Sequence, residues 1–277
     1  MTLLRSKSSR VFLSDNGVFS DLTEQVRTYG TPSVSHSWIA VEDAIYVGRP
    51  HKFQNFYCAV LAAGTGVASM TAEYWNGTAW ASFASFLDES AALSASGFLQ
   101  WEERPEWAIA KPAAIAELAS LGFETPLYWI KLKLSADRSG LSIRSMTRLL
   151  SDDRLLATIF PELLNYLPAG QTDFLQQHEL AFQTIVQELT ASGRIAYAEQ
   201  LKNVEDWILP ATYKAIEIVL DPIVGDENLR KVKDDMRKKY DALMLLAAGS
   251  IDLNMSEDLD PGETETSNML SFEVNRR

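Results

Sequence analysis

Few residues in this chain are suited to acid–base or nucleophilic chemistry. Its 277 residues include three histidines, His36, His51 and His178. None has a second histidine at the spacing of metal ligands on a helix, and the Gly-x-Ser-x-Gly sequence of serine hydrolases does not occur. Gly64-Thr65-Gly66 lacks the lysine of a phosphate-binding loop, so we interpret it as a turn. We predict that His178 is a packed or rim side chain rather than a general base.

Carboxylates are more numerous, and three adjacent pairs could contribute to catalysis: Asp88–Glu89, Glu102–Glu103 and Asp152–Asp153. Glycoside hydrolysis requires two carboxylates that flank the bond to be cleaved. Acids that are neighbours in sequence usually face solvent, and their spacing does not predict that any of them converge. We therefore predict that the chain is not an enzyme and assign no catalytic residue. A hydrolase with unrecognised carboxylates stays an alternative.

The C-terminal segment matches part of a calcium-loop template. Its oxygen-bearing residues fall at positions 1, 3, 5, 7, 9 and 12, as Asp252, Asn254, Ser256, Asp258, Asp260 and Glu263. The template requires glycine at its sixth position for a sharp turn, and Glu257 occupies that position here. We therefore predict an exposed acidic tail, and we assign no metal-binding and no cofactor-binding residue.

Composition narrows the partners and the compartment. Cys58 is the single cysteine, so it can form neither an internal disulfide nor a multi-thiolate metal site. The net charge of −12 disfavours general binding to nucleic acid or to an anionic membrane, because both would repel the average surface. We find no apolar leader at the N-terminus and no apolar stretch long enough to span a membrane. We expect a soluble protein made in a reducing cytoplasm.

The first half of the chain favours strands. Residues 11–145 hold six of the seven tryptophans, in apolar runs bounded by glycine and proline. Asn76-Gly77 lies between two aromatic segments and predicts a two-residue type I′ hairpin in which Trp75 faces Thr78. Residues 128–134 alternate in polarity, which predicts one face in the core and the other in water. We predict an antiparallel β-sandwich whose tryptophans serve mainly as core.

The second half has a helical period. Thr172 is predicted to cap a first helix, a second is predicted over residues 196–220 with Pro210 kinking or dividing it, and a third begins after Gly225 and stops at Gly249. The predicted fold is α+β, with an N-terminal antiparallel β-sandwich domain followed by a C-terminal helical bundle. The predicted parts are a flexible basic arm (1–10), the tryptophan-rich sandwich (11–145), a junction (146–170), a helical domain (171–250) and the acidic tail (251–277).

Three aromatic motifs follow one another in a familiar order. They are Glu73-Tyr74-Trp75-Asn76-Gly77-Thr78-Ala79-Trp80, Gly97-Phe98-Leu99-Gln100-Trp101 and Tyr128-Trp129-Ile130-Lys131-Leu132. In this order they resemble a β domain of virion proteins of tailed bacteriophages. The helical half is similar to small head–tail connector (adaptor) proteins, over Leu201-Lys202, Ala211-Thr212-Tyr213-Lys214-Ala215, Tyr240 and Ile251-Asp252-Leu253-Asn254.

The resemblance implies a structural component of a phage neck, located in the virion and assembled in the host cytoplasm. Connector proteins form a ring of identical copies between the portal and the tail, and their C-terminal segments can dock on the portal. The implied partners are other copies of the chain and the portal and tail or neck proteins, while DNA passes through the lumen without specific binding and no membrane takes part. An alternative is a baseplate or fibre-associated virion protein whose β domain binds carbohydrate through exposed tryptophans.

Overall fold

The computed structural model describes residues 9–27, 33–39, 42–168, 170–201, 204–223, 226–247 and 251. The chain forms two compact units, Met1–Arg148 and Leu149–Arg277. The division falls inside the segment that the sequence predicts as a junction. The first unit holds two antiparallel sheets and the second holds helices, which confirms the predicted α+β class. We refer to them as the β unit and the helical unit.

The described part of the β unit consists of strands, one short α-helix and two 3₁₀ segments. Its described elements are β1 (Arg10–Asp15), β2 (Val18–Asp21), α1 (Thr23–Arg27), β3 (Val34–Trp38), β4 (Ala44–Arg49), β5 (Asn55–Thr65), β6 (Met70–Trp75), β7 (Trp80–Ser82), β8 (Phe86–Asp88), β9 (Gly97–Trp101), β10 (Ile109–Ala110), β11 (Leu127–Leu134) and β12 (Arg138–Thr147). The larger sheet has the order β2-β1-β4-β11-β6-β7, with β10 also paired to β11. The smaller sheet has the order β3-β12-β5-β9-β8.

Side chains from both sheets form one buried cluster, as in a sandwich. On β11, Ile130 and Leu132 belong to this cluster, as their alternation predicts. The prediction that the opposite face of β11 lies in water is wrong at Trp129. Trp129 is fully buried in a second cluster that includes Ile115 and Leu118, from a connection of two short 3₁₀ segments that covers this face. The cover comes from a separate segment of the chain, so the alternation of β11 carries no sign of it.

The type I′ hairpin forms at an Asn-Gly pair other than the predicted one. Asn16 and Gly17 both have positive φ, 46° and 80°. They connect β1 to β2 as a two-residue turn in which Asp15 pairs with Val18. Asparagine and glycine tolerate this backbone region better than other residues, which explains the pair at this site.

At the predicted site the connection is longer. Trp75 pairs with Trp80 rather than with Thr78, so the predicted register is wrong by two residues. The Asn76 side-chain oxygen accepts hydrogen bonds from the backbone N–H groups of Thr78 (3.0 Å) and Ala79 (2.9 Å). This side-chain turn provides an alternative to type I′ geometry. Because the shift is an even number of residues, the side chains of β6 keep their faces.

The helical unit contains α2 (Asp153–Ile159), α3 (Leu175–Ala191), α4 (Val204–Leu220) and α5 (Glu227–Ala247), with 3₁₀ segments at Pro161–Tyr166 and Ala198–Gln200. Thr172 does not cap α3, because the helix begins at Leu175 with Phe174 in the capping position. The two N–H groups at this end are instead bound by carboxylates. Asp153 accepts from Phe174 N–H at 3.2 Å, and Asp173 accepts from Leu175 N–H at 3.1 Å.

Two buried clusters hold the helices together. In the first, Trp207 and Ala211 of α4 pack with Tyr240 and Met244 of α5. The second joins α2, α4 and the first half of α5. Pro210 lies inside α4, which continues through it undivided. The helical period predicted for the second half is confirmed at α3, where Phe174 at the capping position and His178, Ala181, Ile185 and Leu189 within the helix are all buried.

The two predicted tails lie mostly outside the described residues. Arg10, predicted as the end of a flexible arm, is the first residue of β1, and its guanidinium carbon lies 5.8 Å from the centroid of the Phe123 ring. Ile251 is buried and forms an isolated bridge with Leu201. Residues 1–8 and the remainder of the acidic tail from Asp252, including the partial calcium template, are outside the described ranges.

Candidate functional site

The β unit contains a cavity of about 450 Å³ beside β8, an edge strand of the smaller sheet. Three segments form its walls: the connection from β5 to β6 (66–70), β8 with the turn that follows it (86–94), and Arg138 at the start of β12. A volume of this size falls within the range of pockets that hold small organic molecules. We therefore treat this cavity as the candidate site.

The turn after β8 has an unusual backbone. Ala91, Ala92 and Leu93 have φ angles of 49°, 55° and 63°, so three consecutive residues with side chains are left-handed. A left-handed residue other than glycine costs roughly 1–2 kcal/mol, because its Cβ approaches the following carbonyl oxygen. The turn closes through the carbonyl oxygen of Ser90, which accepts hydrogen bonds from the N–H groups of Ser94 (2.9 Å) and Ala95 (3.0 Å).

Asp88 and Ser90 hold this left-handed turn in place. Asp88 Oδ1 accepts hydrogen bonds from the backbone N–H (2.9 Å) and the hydroxyl (2.6 Å) of Ser90. Its Oδ2 accepts from the N–H of Ala92 at 2.6 Å, and the Ser90 hydroxyl oxygen accepts from the N–H of Leu93 at 3.0 Å. Ala92 and Leu93 are each 1% exposed, so burial adds to these hydrogen bonds. Together they offset the backbone strain and fix one wall of the cavity.

Arg138, at the start of β12 in the same sheet as β8, also lines the cavity. Only 3% of its surface is exposed. Nη1 donates to the carbonyl oxygen of Ala92 at 2.6 Å, and Nη2 donates to the carbonyl oxygen of Gly66 at 2.9 Å and to Ser94 Oγ at 2.7 Å. Its Nε–H has no acceptor among the described residues. The cavity is thus lined by a buried guanidinium whose hydrogen bonds all go to neutral acceptors.

In the helical unit, Ser151, His178 and Asp153 come together in a way that the sequence analysis did not foresee. Ser151 Oγ lies 2.7 Å from Nδ1 of His178, and Nε2 lies 3.0 Å from Oδ1 of Asp153. These are the residue types of a serine-hydrolase triad, but in a triad the serine bonds Nε2 and the acid bonds Nδ1. Here the connections are reversed.

Burial decides what this group does. Ser151 is 1% exposed and His178 is 2% exposed, so a substrate carbonyl cannot approach the serine oxygen. His178 is a packed side chain, as predicted. It connects α3 to the segment at the start of α2, and Asp153 also accepts from the first N–H of α3, so the group joins two helices.

The other two histidines lie in the β unit. His36 Nε2 is 2.7 Å from Oδ2 of Asp43, whose carboxylate also accepts hydrogen bonds from the N–H groups of Ile39 (2.7 Å) and Asn16 (3.2 Å). Asp43 is 1% exposed, so this is a buried knot between loop backbones. His51 is half-buried in the connection after β4.

In two of the three acid pairs, the neighbouring residues bind different partners. Asp88 binds the left-handed turn, whereas Glu89 contributes its backbone N–H to the carbonyl oxygen of Phe98. Asp152 caps α2 by accepting from Leu155 N–H at 3.0 Å, and Asp153 binds α3. Within the described ranges, no three histidine, cysteine or carboxylate side chains lie close enough together to hold a metal ion.

Cys58 and the tryptophans belong to the core. Cys58 is fully buried, and burial, with a smaller contribution from the Asp88 carboxylate, raises the pKa of its thiol to about 12. Five of the six tryptophans of the β unit are buried, as predicted for most of them: Trp38, Trp75, Trp101, Trp107 and Trp129. Trp207 of the helical unit is also buried. The seventh, Trp80, is half-buried and donates its indole N–H to Glu117 Oε2 at 2.6 Å. An exposed aromatic platform for sugars is therefore not present among them.

The last turns of α5 expose apolar side chains to solvent. Leu245 is 69% exposed and Leu246 is 76% exposed. Ala242 is also exposed, and the spacing of these three residues places them on one face of the helix. We call Ala242, Leu245 and Leu246 the α5 apolar stripe. None of the helices within the described ranges has the length and apolar character required to cross a membrane.

No feature of the sequence predicts the cavity. Arg138 carries no motif, and the small residues of the turn give no sign of a left-handed backbone, since alanine and leucine disfavour it. The related signal for the turn after β8 is the Asp-x-Ser spacing of Asp88 and Ser90, because aspartate and serine side chains often accept hydrogen bonds from the backbone of a turn. Comparison of the chain with known protein families, with curated proteins and with solved structures found no match.

Proposed function

We propose that the chain is an assembly protein of a tailed bacteriophage virion, a head–tail connector that forms a homo-oligomeric ring between the portal and the tail. The observation that carries the proposal is the α5 apolar stripe. It ends close to the segment that, in the connector proteins which the helical half resembles, docks on the portal. The partner that we assign to the stripe is a second copy of this chain.

The stripe stands out against the rest of α5. Along its earlier turns the exposed positions are charged, among them Arg230, Lys231, Asp234 and Arg237, as expected for a face in water. At the stripe the exposed face becomes apolar. Fully burying a leucine side chain contributes about 1.5–3 kcal/mol, so covering the exposed two-thirds or more of both leucines contributes about 2–4 kcal/mol per contact. A ring repeats this contact at every subunit boundary.

The construction of the β unit supports the same proposal. The three motifs that resemble the virion β domain lie on the β6–β7 hairpin, on β9 and on β11. Three of their four tryptophans, Trp75, Trp101 and Trp129, are buried, which suits a rigid structural module better than a sugar-binding platform. The net charge of −12 suits a lumen that DNA passes without sticking, and neutralising the acidic tail should then slow DNA ejection.

A direct test is the oligomeric state of the purified chain, measured by native mass spectrometry and by negative-stain electron microscopy. The double variant Leu245→Lys/Leu246→Lys removes the apolar stripe at exposed positions. We expect it to weaken self-association by about 30- to 800-fold, the equivalent of 2–4 kcal/mol. The matched control is Val18→Lys on β2, since Val18 is 70% exposed and lies in the β unit.

Rings in the wild type and the control, lost in the double variant, are the expected result. If the wild type forms rings that the double variant also forms, the stripe is not the contact. A wild type that stays monomeric, alone and with portal protein, would refute the connector function.

The second candidate function is a baseplate or fibre-associated protein whose β unit binds a ligand. One observation favours it: the cavity beside β8. Locating the protein in the virion by electron microscopy separates the two candidates, because the connector lies beneath the capsid and the baseplate protein lies at the distal end of the tail.

A further inference from the structure

We propose that the cavity beside β8 and the open edge of that strand form a docking site for the C-terminal segment of a second copy of the chain. Residues 269–275 of that copy add to β8 as a strand, and the ring of Phe272 enters the cavity. The fit between segment and site is independent of the connector function. The assignment of the segment to a second copy rests on the self-association proposed above.

The backbone of β8 is available on one side. The strand lies at an edge of the smaller sheet, next to β9. The N–H of Glu89 donates to the carbonyl oxygen of Phe98 on the β9 side at 2.9 Å. Because hydrogen-bonded pairs alternate along an antiparallel ladder, Leu87 also bonds to β9, while Phe86 and Asp88 direct their N–H and C=O groups away from it. Within the described ranges no other strand pairs with β8, so these groups can bind an added strand.

The side chains of β8 connect this edge to the cavity. Phe86 and Asp88 lie on one face of the strand and both line the cavity, whereas Leu87 lies on the other face and is 53% exposed. A strand that pairs with β8 places every second side chain on the face of Phe86 and Asp88. Those side chains reach the cavity, so the edge and the cavity form one site.

The surface that the cavity offers to a ligand is apolar. The Asp88 carboxylate already accepts three hydrogen bonds from the turn after β8. The Ser94 oxygen accepts from Arg138, whose Nε is itself buried. The other side chains of the lining are apolar except for Ser69: Val67, Ala68, Met70, Phe86, Ala91 and Ala92. An apolar group is therefore the best complement to the cavity.

The C-terminal segment has the pattern of a strand that buries one face. Three apolar residues alternate with three polar ones in Leu270-Ser271-Phe272-Glu273-Val274-Asn275. This period places the apolar side chains together on one face, with Phe272 at its centre. An apolar cavity of about 150 Å³ holds benzene. The cavity beside β8, at about 450 Å³, therefore has room for the phenyl ring of Phe272.

The length of the tail allows the segment to reach another copy. Ile251 is buried in the helical unit and follows the α5 apolar stripe closely, so the tail begins beside the contact that we assign to the second copy. Between Ile251 and Leu270, a fully extended chain spans about 60 Å. That distance exceeds the reach needed to cross a subunit boundary.

The charge of the tail singles out the same segment. Residues 252–268 carry six acids and no base, whereas residues 269–277 carry one acidic side chain and two arginines. On a chain with a net charge of −12, the last segment is the part of the tail that is repelled least by another copy.

The first test titrates a fluorescein-labelled peptide of residues 266–277 onto the full chain carrying Phe272→Ser, which removes the anchor from the chain's own tail. We expect saturable binding by fluorescence anisotropy. A peptide with Phe272→Ser should bind at least about tenfold more weakly, because an aromatic side chain is no longer buried. The matched control is a peptide with Ser271→Ala, which changes the opposite face of the strand and should bind within about twofold of the wild-type peptide.

Val67 tests the cavity from the side of the β unit. It lines the cavity and is 92% exposed, so a substitution there leaves the fold undisturbed. Val67→Lys and Val67→Glu both replace an apolar contact with a charge, and both should weaken peptide binding by about threefold or more. If one charge strengthens binding and the other weakens it, the contact is electrostatic and the apolar docking is overturned.

Hydrogen exchange tests the strand pairing. In ¹⁵N NMR spectra of the Phe272→Ser chain, the peptide should slow the exchange of the Phe86 and Asp88 amide protons, because these face the open edge. The Leu87 amide, which already bonds to β9, is the internal control. Binding of the peptide without slower exchange at Phe86 and Asp88 would overturn the addition of a strand.

A second titration tests the role of the second copy separately from the connector function. Fluorescein-labelled Phe272→Ser chain is titrated with the wild-type chain or with unlabelled Phe272→Ser chain. Both titrants carry the α5 apolar stripe, so a difference between them comes from the segment. We expect the wild-type chain to bind at least about tenfold more tightly. Because β8 has three residues, the docking alone should not hold copies together in Leu245→Lys/Leu246→Lys.

Each outcome decides the proposal. Equal binding of the two titrants would overturn docking between copies, whether or not rings form. Equal binding of the wild-type and Phe272→Ser peptides would overturn the role of the ring in the cavity. No binding of the wild-type peptide at about 1 mM would overturn the proposal as a whole, while the connector function would still stand on the stripe.

Discussion

Ala91→Gly is expected to stabilise the β unit, although the same substitution destabilises most proteins. Ala91 has a φ of 49°, and its side chain is exposed, so its methyl group contributes little to packing. In a left-handed backbone that methyl group is a steric cost. Glycine has no Cβ and adopts this conformation freely.

The magnitude follows from two opposing effects. Removing the left-handed strain of alanine gains about 1–2 kcal/mol. The greater freedom of glycine in the unfolded chain costs about 0.5–1 kcal/mol. We therefore expect a net gain of about 0.5–1 kcal/mol for Ala91→Gly. Ala92 has a similar φ, 55°, but is 1% exposed, so Ala92→Gly also loses a buried methyl group worth about 0.8 kcal/mol and should be close to neutral.

The assay is urea unfolding followed by tryptophan fluorescence, which reports mainly on the β unit because that unit holds six of the seven tryptophans. The control is Ala62→Gly, an exposed alanine on β5 of the same unit whose φ is not positive. The control should lose about 0.5–1 kcal/mol. If Ala91→Gly and Ala62→Gly lower stability equally, the left-handed turn and the rigid cavity wall built on it are refuted.

Three further outcomes follow from individual side chains. Cys58 should resist iodoacetamide at pH 8 in the folded chain and react in urea, because burial raises the pKa of its thiol to about 12, and rapid labelling of the native chain would contradict this. Asp152→Ala should lower the stability of the helical unit by about 1 kcal/mol, since its carboxylate caps α2, and an unchanged urea midpoint by circular dichroism would count against the cap. Burial alone would raise the pKa of Glu117, but hydrogen bonds from Trp80 and Lys131 outweigh it and hold that pKa below its usual range. Ionised Glu117 therefore stabilises the fold above its unfolded-state pKa, and this contribution is lost as the pH falls through the lower folded-state pKa. The thermal midpoint of Glu117→Gln should accordingly drop less between about pH 5 and pH 3 than that of the wild type. Identical drops in the two proteins would contradict the assignment.

Periodic burial made the main elements predictable. β11 and α3 each bury one face, and the apolar residues of that face recur in the sequence at the period of a strand or of a helix. The Asn-Gly pairs show where this reasoning ends. Both Asn16 and Asn76 precede glycine, yet only Asn16 starts a type I′ turn. The side-chain oxygen of Asn76 instead accepts a hydrogen bond from the backbone N–H of Thr78. Local sequence does not decide between these two uses of asparagine.

The candidate site was beyond sequence reasoning for a different reason. Arg138 meets Gly66 and Ala92 across separations of 72 and 46 residues, and no spacing rule connects positions so far apart. Ser151 and His178 are 27 residues apart, one just before α2 and the other in the first turn of α3. Such contacts arise from the packing of whole elements. Residue types alone limit the chemistry that a chain can do, but tertiary structure determines which residues meet.

The most direct test of the proposed function is native mass spectrometry of the wild-type chain, alone and mixed with portal protein. The connector account predicts closed assemblies at multiples of 30.9 kDa, with Leu245→Lys/Leu246→Lys shifted to the single-chain mass. A wild-type chain that remains at 30.9 kDa across the concentration range, with and without the portal, would contradict it.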